Sequence, residues 1–166
     1  ANKKVSSNIR SVKRDLIGFI PQDPKTYLNP FWTVDTLFKQ SHKLNNNHKI
    51  PFDEFIEKHL LSAGIRDNKI DDIKRKRPNE LSGGEAQRVM MGFVFSKSPK
   101  IIIADEPTTG VDVTTQKKII ETLTALSGND ITIILISHDL GFLDHLVDEY
   151  FVMYSGFVCE YIKKKE

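Results

Sequence analysis

The stretch Glu80–Met90, "ELSGGEAQRVM", has the residue types of an anion-binding turn. Ser82 and two glycines stand directly before a run of helix-forming residues. The first N–H groups of a helix have no partners within it and carry partial positive charge, and glycine lets a ligand approach the backbone. A plain capping box explains the Ser-x-x-Glu spacing of Ser82 and Glu85 equally well. Two consecutive glycines favour the ligand, because glycine is poor in a first helical turn.

Two adjacent acids, Asp105 and Glu106, end an apolar run at Lys100–Pro107, "KIIIADEP". The run is rich in β-branched residues, as is typical of a strand covered on both faces. Ligands gather at the carboxyl ends of parallel strands. Asp105 would then hold Mg²⁺, and Glu106 would orient or deprotonate an attacking water. A solvated turn after the strand is the competing interpretation.

Three further polar residues have simple alternatives to a functional role. His138 follows the apolar run Ile131–Asp139, "ITIILISHD", where a lone histidine is more often a structural hydrogen-bonding group. Asp112 precedes a predicted helix and can be only its N-cap. Gln22, taken by itself, indicates nothing.

The pattern along the chain predicts the elements that must position these residues. Leu16–Ile20 is expected to be a buried strand, and the proline-broken segment Pro21–Trp32 a loop. Two helices are predicted next, followed by strands and helices in the order β-α-β-α-β, which indicates a mostly parallel sheet. The predicted helices are Thr33–Leu44, Pro51–Ala63, Val113–Leu126 and Leu140–Val147, and the closing strands are Tyr150–Tyr154 and Phe157–Tyr161.

Composition excludes several classes of protein. The 166 residues carry 24 basic and 22 acidic side chains, and this net charge of +2 gives no reason to expect a nucleic-acid partner. The single cysteine, Cys159, excludes a disulfide framework or a cysteine-based metal cluster. The apolar runs are too short to cross a bilayer. We therefore expect any connection to a membrane to go through a partner.

Three motifs in a fixed order resemble the nucleotide-binding domain of ABC-type ATPases: "LSGGEAQR", "IIIADEPTTGVD" and "ISHD". The resemblance covers nearly the whole chain. It implies an α/β fold, with a P-loop NTPase-like parallel sheet and an inserted helical lobe that carries the signature. It also divides the chain into the end of the N-terminal core with the Q-loop (1–23), the helical lobe (24–98) and the C-terminal core (99–166).

The resemblance also implies a role for each motif residue, with ATP and Mg²⁺ as ligands. The signature would contact the γ-phosphate of an ATP held by a second subunit. Within the chain's own site, Asp105 matches the magnesium residue of Walker B and Glu106 matches the catalytic acid. The remaining matches are Ser82, Gly83, Gly84 and Glu85 in the signature, Asp112 in the D-loop, His138 as the switch histidine and Gln22 as the residue that senses magnesium and water.

Finer features are similar to the ATPase subunits of oligopeptide, dipeptide and nickel importers. The segment "QDPKTYLNP" matches their Q-loop except that Tyr27 replaces a serine, and Gly110 and Val111 replace Ala-Leu after Walker B. This resemblance implies a head-to-tail homodimer or heterodimer, permease partners and a place at the cytoplasmic face of the cell membrane. The rival interpretations are a DNA-repair ABC ATPase, which the single cysteine disfavours, and a non-catalytic fragment.

No phosphate loop, Gly-x-x-x-x-Gly-Lys followed by Ser or Thr, starts at any glycine of this sequence. The chain therefore resembles the part of the domain that follows this loop, with the front strands absent. We expect the 166-residue chain by itself to be inactive and to bind ATP weakly, because it lacks the loop amides and lysine that neutralise a triphosphate.

Overall fold

The computed structural model describes residues 16–44, 50–127, 130–144 and 146–164. The sheet contains three parallel strands, β1 (Ile17–Ile20), β2 (Ile101–Asp105) and β3 (Thr132–Ile136), in the order β1-β2-β3. Ile20 pairs with Ala104, and Asp105 pairs with Ile136. The predicted parallel sheet is confirmed, and its carboxyl ends lie along one edge.

The segment between β1 and β2 is helical. Its helices are α1 (Pro24–Tyr27), α2 (Val34–Leu44), α3 (Phe52–Ser62), α4 (Ile70–Arg75) and α5 (Gly83–Phe95), with two 3₁₀ turns at Asp67–Lys69 and Pro78–Glu80. The predictions of α2 and α3 are confirmed to within one residue at each end. Helix α3 ends before Gly64, whose φ of 81° is a left-handed conformation that glycine adopts without strain.

The predicted loop Pro21–Trp32 is wrong over four residues, because α1 lies inside it. The Oδ1 atom of Asp23 accepts a hydrogen bond from the backbone N–H of Lys25 at 3.1 Å, so Asp23 caps the helix. Pro24 occupies the first turn, where its missing N–H costs nothing. Prolines end helices only when they fall in the interior, and here a proline begins one.

One hydrophobic core joins the helices to the sheet. Phe38, Phe55 and Met91 are almost fully buried and come from α2, α3 and α5. A buried hydrogen bond of 2.6 Å between the hydroxyls of Ser41 and Ser96 links α2 to the end of α5. Helices α3 and α5 approach closely at Gly92, where a Cβ would stand only 2.8 Å from the carbonyl oxygen of His59. Together these contacts fix the direction of α5.

The C-terminal part contains α6 (Val113–Ser127), α7 (Leu140–Leu143), and an antiparallel hairpin of β4 (Glu149–Tyr154) and β5 (Phe157–Lys163). The predicted hairpin and α6 are confirmed, whereas α7 is shorter than predicted. The apolar run Ile131–Asp139 is expected to form a buried strand, and this expectation is wrong, because every residue of β3 is exposed or only partly buried. Ile134 and Ile136 of β3 are about half exposed, because β3 pairs with β2 alone among the described residues.

No helix in the described ranges has the length and apolarity needed to cross a membrane. The first fifteen residues of the predicted N-terminal segment lie outside the described residues.

Candidate active site

The sheet brings four of the predicted site residues to one edge. Asp105 is the last residue of β2 and Glu106 follows it. His138 lies two residues after β3, and Gln22 two residues after β1. Because the three strands are parallel and in register, their following residues emerge at the same end of the sheet. Gln22, the adjacent pair Asp105 and Glu106, and His138 are far apart in the sequence, and the strand order brings them to the same edge.

Glu106 and His138 are in direct contact. The Oε1 atom of Glu106 lies 2.7 Å from Nδ1 of His138 and accepts the backbone N–H of His138 at 3.0 Å. The Oε2 atom accepts a hydrogen bond from the hydroxyl of Thr109 at 3.0 Å. The backbone N–H of Glu106 donates to the carbonyl oxygen of Ile136, which ties the turn to β3. The carboxylate is therefore held by donors from two segments of the chain.

These contacts shift two pKa values in opposite directions. Partial burial alone would raise the pKa of Glu106, but the hydrogen bonds from His138 and Thr109 outweigh it and lower that pKa. The hydrogen bond to Glu106 raises the pKa of His138, and the negative charge of the carboxylate acts in the same direction. Glu106 is thus ionised at neutral pH, as a group that accepts a proton must be.

His138 is not a core histidine, because 81% of its side chain is exposed. Its hydrogen bond to a carboxylate holds the imidazole in one orientation while the rest of the ring remains open to a ligand. The structural alternative explains the hydrogen bond but not the exposure. Thr109, which the sequence analysis overlooked, could have been found from its place three residues after Glu106, where a threonine hydroxyl reaches back within a turn.

The oxygen atoms that the side chains offer at this edge match the type and number of protein ligands that Mg²⁺ takes. Asp105 offers a half-buried carboxylate, and Gln22 offers an exposed amide oxygen. The described residues contain no group of three or more histidine, cysteine or acidic side chains that could hold a metal. Magnesium takes one or two protein ligands and fills its remaining positions with water and phosphate oxygens. Asp105 and Gln22 would be the two protein ligands, and water and phosphate oxygens would fill the other positions.

The signature turn forms the capping box predicted as its simpler interpretation. The hydroxyl of Ser82 accepts the backbone N–H of Glu85 at 3.2 Å, and Glu85 accepts the backbone N–H of Ser82 at 2.9 Å. Gly84 has a packing reason that the sequence did not indicate, because a Cβ there would lie 3.2 Å from the side chain of Thr115. Gly83 is exposed and has no such constraint. Gly83 is therefore the one glycine of this pair that still indicates a ligand close to the backbone.

Asp112 caps α6, as its simpler interpretation predicted. Its two carboxylate oxygens accept the backbone N–H of Thr115 at 3.0 Å and the hydroxyl of Thr115 at 2.7 Å. These hydrogen bonds lower the pKa of Asp112. Arg88 of the signature helix also donates to the hydroxyl of Thr115, at 3.1 Å. The signature helix and the D-loop are therefore packed together within this chain.

One segment, residues 106–112, joins the acidic edge of the sheet to the signature turn. Glu106 begins it, with a φ of 45° that is uncommon for a non-glycine residue, and Asp112 ends it. At its middle, the carbonyl oxygen of Gly110 lies 3.6 Å from where a Cβ on Gly83 would be. The segment thus holds the carboxylate at one end and packs against the signature at the other.

The family model described as "ABC transporter" matches residues 1–109. The chain belongs to the ABC transporter family. The oligopeptide transport ATP-binding protein OppD of Bacillus subtilis (strain 168) is 36% identical over 165 residues, which cover 96% of this chain and 44% of that protein. The glutathione import ATP-binding protein GsiA of Escherichia coli O157:H7 is 32% identical over 160 residues, which cover 96% of this chain and 26% of that protein.

Solved structures of this family share the fold. The ATP-binding cassette MJ0796, in a dimeric post-hydrolysis state bound to ADP and Pi, superposes with a TM-score of 0.82 at 24% identity, over 96% of this chain and 68% of that one. The structure of cbiO1 from Clostridium perfringens, part of the ABC transporter complex cbiONQ, gives a TM-score of 0.68 at 30% identity, over 89% and 57% of the two chains. The ABC chain described here spans less than half the length of the curated relatives above. The predicted family and P-loop NTPase-like fold are confirmed.

Proposed function

We propose that this chain supplies the hydrolytic edge and the signature of an ATPase that drives import of peptides or a similar small solute. The observation that carries this proposal is the contact of 2.7 Å between Glu106 and the exposed His138, beside Asp105 at the carboxyl edge of the sheet. An ionised carboxylate and a histidine at this edge are the groups needed to deprotonate water and to contact a terminal phosphate.

In the proposed mechanism Glu106 accepts the proton of the attacking water. His138 orients Glu106 and donates a hydrogen bond toward the γ-phosphate of ATP. Asp105 and Gln22 would hold Mg²⁺, which when bound would supply positive charge next to the phosphates. Thr109 donates a further hydrogen bond to Glu106 at 3.0 Å and lowers the pKa of that carboxyl.

The signature is proposed to act on a second subunit. Ser82, Gly83 and the N-terminus of α5 form a turn that suits a phosphate. A head-to-tail homodimer or heterodimer would place this turn against the nucleotide of the partner subunit. Asp112 would lie at the same interface, since its turn packs against Gly83.

The import role rests on the relatives and on an exposed aromatic segment. OppD and GsiA carry transport and import in their names. Phe31 is 83% exposed and Trp32 is 38% exposed, so neither side chain lies in the core of the helical lobe. Large exposed aromatic side chains next to the Q-loop suit a short helix from a permease subunit. The protein would then be peripheral, at the cytoplasmic face of the cell membrane.

Steady-state ATP hydrolysis by the full-length gene product tests this proposal. Glu106→Gln is expected to lower turnover by about 10²–10⁴-fold and to leave ATP binding unchanged, because the amide keeps the shape but cannot accept a proton. Near-normal turnover of Glu106→Gln would show that another group is the base. Ser82→Arg is expected to abolish ATP-driven dimerisation, and a dimer of that variant in sedimentation would contradict the shared site.

A further inference from the structure

The hydroxyl of Thr115 lies where the signature helix α5 meets the start of α6. It donates a hydrogen bond to Oδ2 of Asp112 at 2.7 Å and accepts one from Nη1 of Arg88 at 3.1 Å. A threonine hydroxyl has one proton to donate and two lone pairs that accept, so both bonds form at once. Only 6% of Thr115 is exposed, and little water therefore competes for these bonds.

Capping of α6 does not require this hydroxyl. The cap is already made by Oδ1 of Asp112, which accepts the backbone N–H of Thr115 at 3.0 Å. The hydroxyl adds a second hydrogen bond, to the other carboxylate oxygen, and so fixes the rotation of the carboxylate as well as its position. Thr115 therefore constrains the side chain of Asp112 more tightly than a helix cap needs.

The same threonine packs against the signature turn. A Cβ on Gly84 would stand 3.2 Å from both Oγ1 and Cγ2 of Thr115, so the backbone of the turn lies close to this side chain. The half-buried Arg88 adds the hydrogen bond from the second turn of α5. Thr115 thus contacts the signature helix twice and Asp112 twice, and it links the two into one unit.

We propose that Thr115 is a positioning residue for the shared ATP site. Its hydroxyl holds the carboxylate of Asp112 at a fixed place relative to Ser82 and Gly83, so a second subunit meets them as one preformed surface. A preformed surface loses less conformational freedom on binding. Asp112 is exposed, and its carboxylate keeps lone pairs for a hydrogen-bond donor of that subunit. This inference rests on the proposed function, in which Asp112 and the signature turn lie at one interface.

The experiment uses the full-length gene product with Glu106→Gln in the background, which slows turnover. Thr115→Val removes the hydroxyl and keeps the branched shape, whereas Thr115→Ser keeps the hydroxyl. Thr114→Val is the matched control, because it makes the same replacement at an exposed neighbour. Sedimentation with Mg²⁺ and ATP measures the ATP concentration at which half of the protein dimerises. Binding of a fluorescent ATP analogue to dilute protein measures the nucleotide affinity of the single subunit.

Thr115→Val is expected to raise the ATP concentration for dimerisation by about tenfold relative to Thr114→Val, because a hydrogen bond to a charged group is lost. The nucleotide affinity of the single subunit should stay unchanged, whereas a general loss of packing would weaken it too. Thr115→Ser should restore dimerisation. Equal dimerisation of Thr115→Val and Thr114→Val, or a Thr115→Ser variant as weak as Thr115→Val, would overturn the proposal.

A carbon-13 titration of the Asp112 carboxyl separates this inference from the proposed function. The hydrogen bonds from Thr115 lower the pKa of Asp112, so Thr115→Val is expected to raise that pKa and Thr115→Ser to keep it low. An Asp112 pKa that is the same in Thr115→Val and Thr115→Ser would show that the hydroxyl does not hold the carboxylate. If Ser82→Arg still dimerises with ATP, the proposed function fails, and this titration still decides whether Thr115 sets the carboxylate of Asp112.

Discussion

The Oε1 atom of Glu106 accepts two hydrogen bonds from His138, one from the backbone N–H at 3.0 Å and one from the ring at 2.7 Å. One oxygen thereby fixes both the position of the segment after β3 and the orientation of its histidine. The φ of 45° at Glu106 is a backbone conformation that most residues avoid. Such strain clusters at functional sites.

Replacing Glu106 by glutamine is expected to lower the pKa of His138. The carboxylate stabilises the protonated imidazole, and the neutral amide does not. The ring protons of His138 in nuclear magnetic resonance titrations of the full-length gene product report this pKa. His59 is an internal control, because burial lowers its pKa and it contacts the carbonyl oxygen of Phe55. An unchanged pKa of His138 in the variant would mean that the contact between Glu106 and His138 is absent in solution.

The same pair makes stability depend on pH in a defined window. The raised pKa of His138 means that its stabilising contribution is complete below the pKa of the unfolded chain and is lost as pH rises through the folded value. The lowered pKa of Glu106 means that its contribution is present above the unfolded value and is lost as pH falls through the folded one. The pair is therefore formed between the folded pKa values of Glu106 and His138.

Thr109→Ala is expected to move the acid limb of the pH–rate profile of ATP hydrolysis to higher pH. The hydroxyl of Thr109 donates to Glu106 and lowers its pKa, so its loss raises that pKa. Turnover at neutral pH should fall by less than about tenfold, since the bond from His138 remains. Thr109→Ser keeps the hydroxyl and is the matched control. An unshifted acid limb in Thr109→Ala would show that this hydrogen bond does not tune the base.

Gly92→Ala is expected to destabilise the protein by about 1–3 kcal/mol, although alanine favours helices more than glycine does. The added Cβ would stand 2.8 Å from the carbonyl oxygen of His59, so α3 and α5 must separate. Urea unfolding of the full-length gene product measures the change. Gly141→Ala is the control, because its Cβ meets only the side chain of Asp139 at an ordinary 3.4 Å. Equal stability of Gly92→Ala and wild type would contradict the tight crossing.

A cysteine at Phe31 is expected to crosslink to a cytoplasmic loop of the proposed permease subunit, with a yield that changes with nucleotide. Phe31 is the most exposed aromatic side chain next to the Q-loop, and a ligand shifts only the states that it binds differently. The experiment uses the full-length protein with Cys159→Ser, assembled with membrane subunits. A cysteine at Lys117, exposed on α6, is the control. Crosslinks only at Lys117, or at neither position, would remove the support for coupling through this segment.

Local patterns were sufficient for most of the fold. The helices at α2, α3 and α6, the strands and the closing hairpin all follow from apolar periodicity, because a helix or strand must bury one stripe or face. The signature, Walker B and histidine motifs identified the family without tertiary contacts. The helix at Pro24–Tyr27 is the exception, because three prolines in one segment predict a loop, whereas Asp23 and Pro24 form a helix start.

The sequence by itself determined which residues could do chemistry, because residue type and order are properties of the chain. Only the tertiary structure decided which of them meet. The parallel register of β2 and β3 brings Glu106 to His138 across 32 positions of the chain, and the packing of α5 against α6 gives Gly84 its close contact with Thr115. The hydrogen bond from Arg88 to Thr115 likewise needs both of these helices. The local conformational preferences of a segment cannot specify such contacts between distant residues, since the contacts depend on how distant apolar faces are buried against each other.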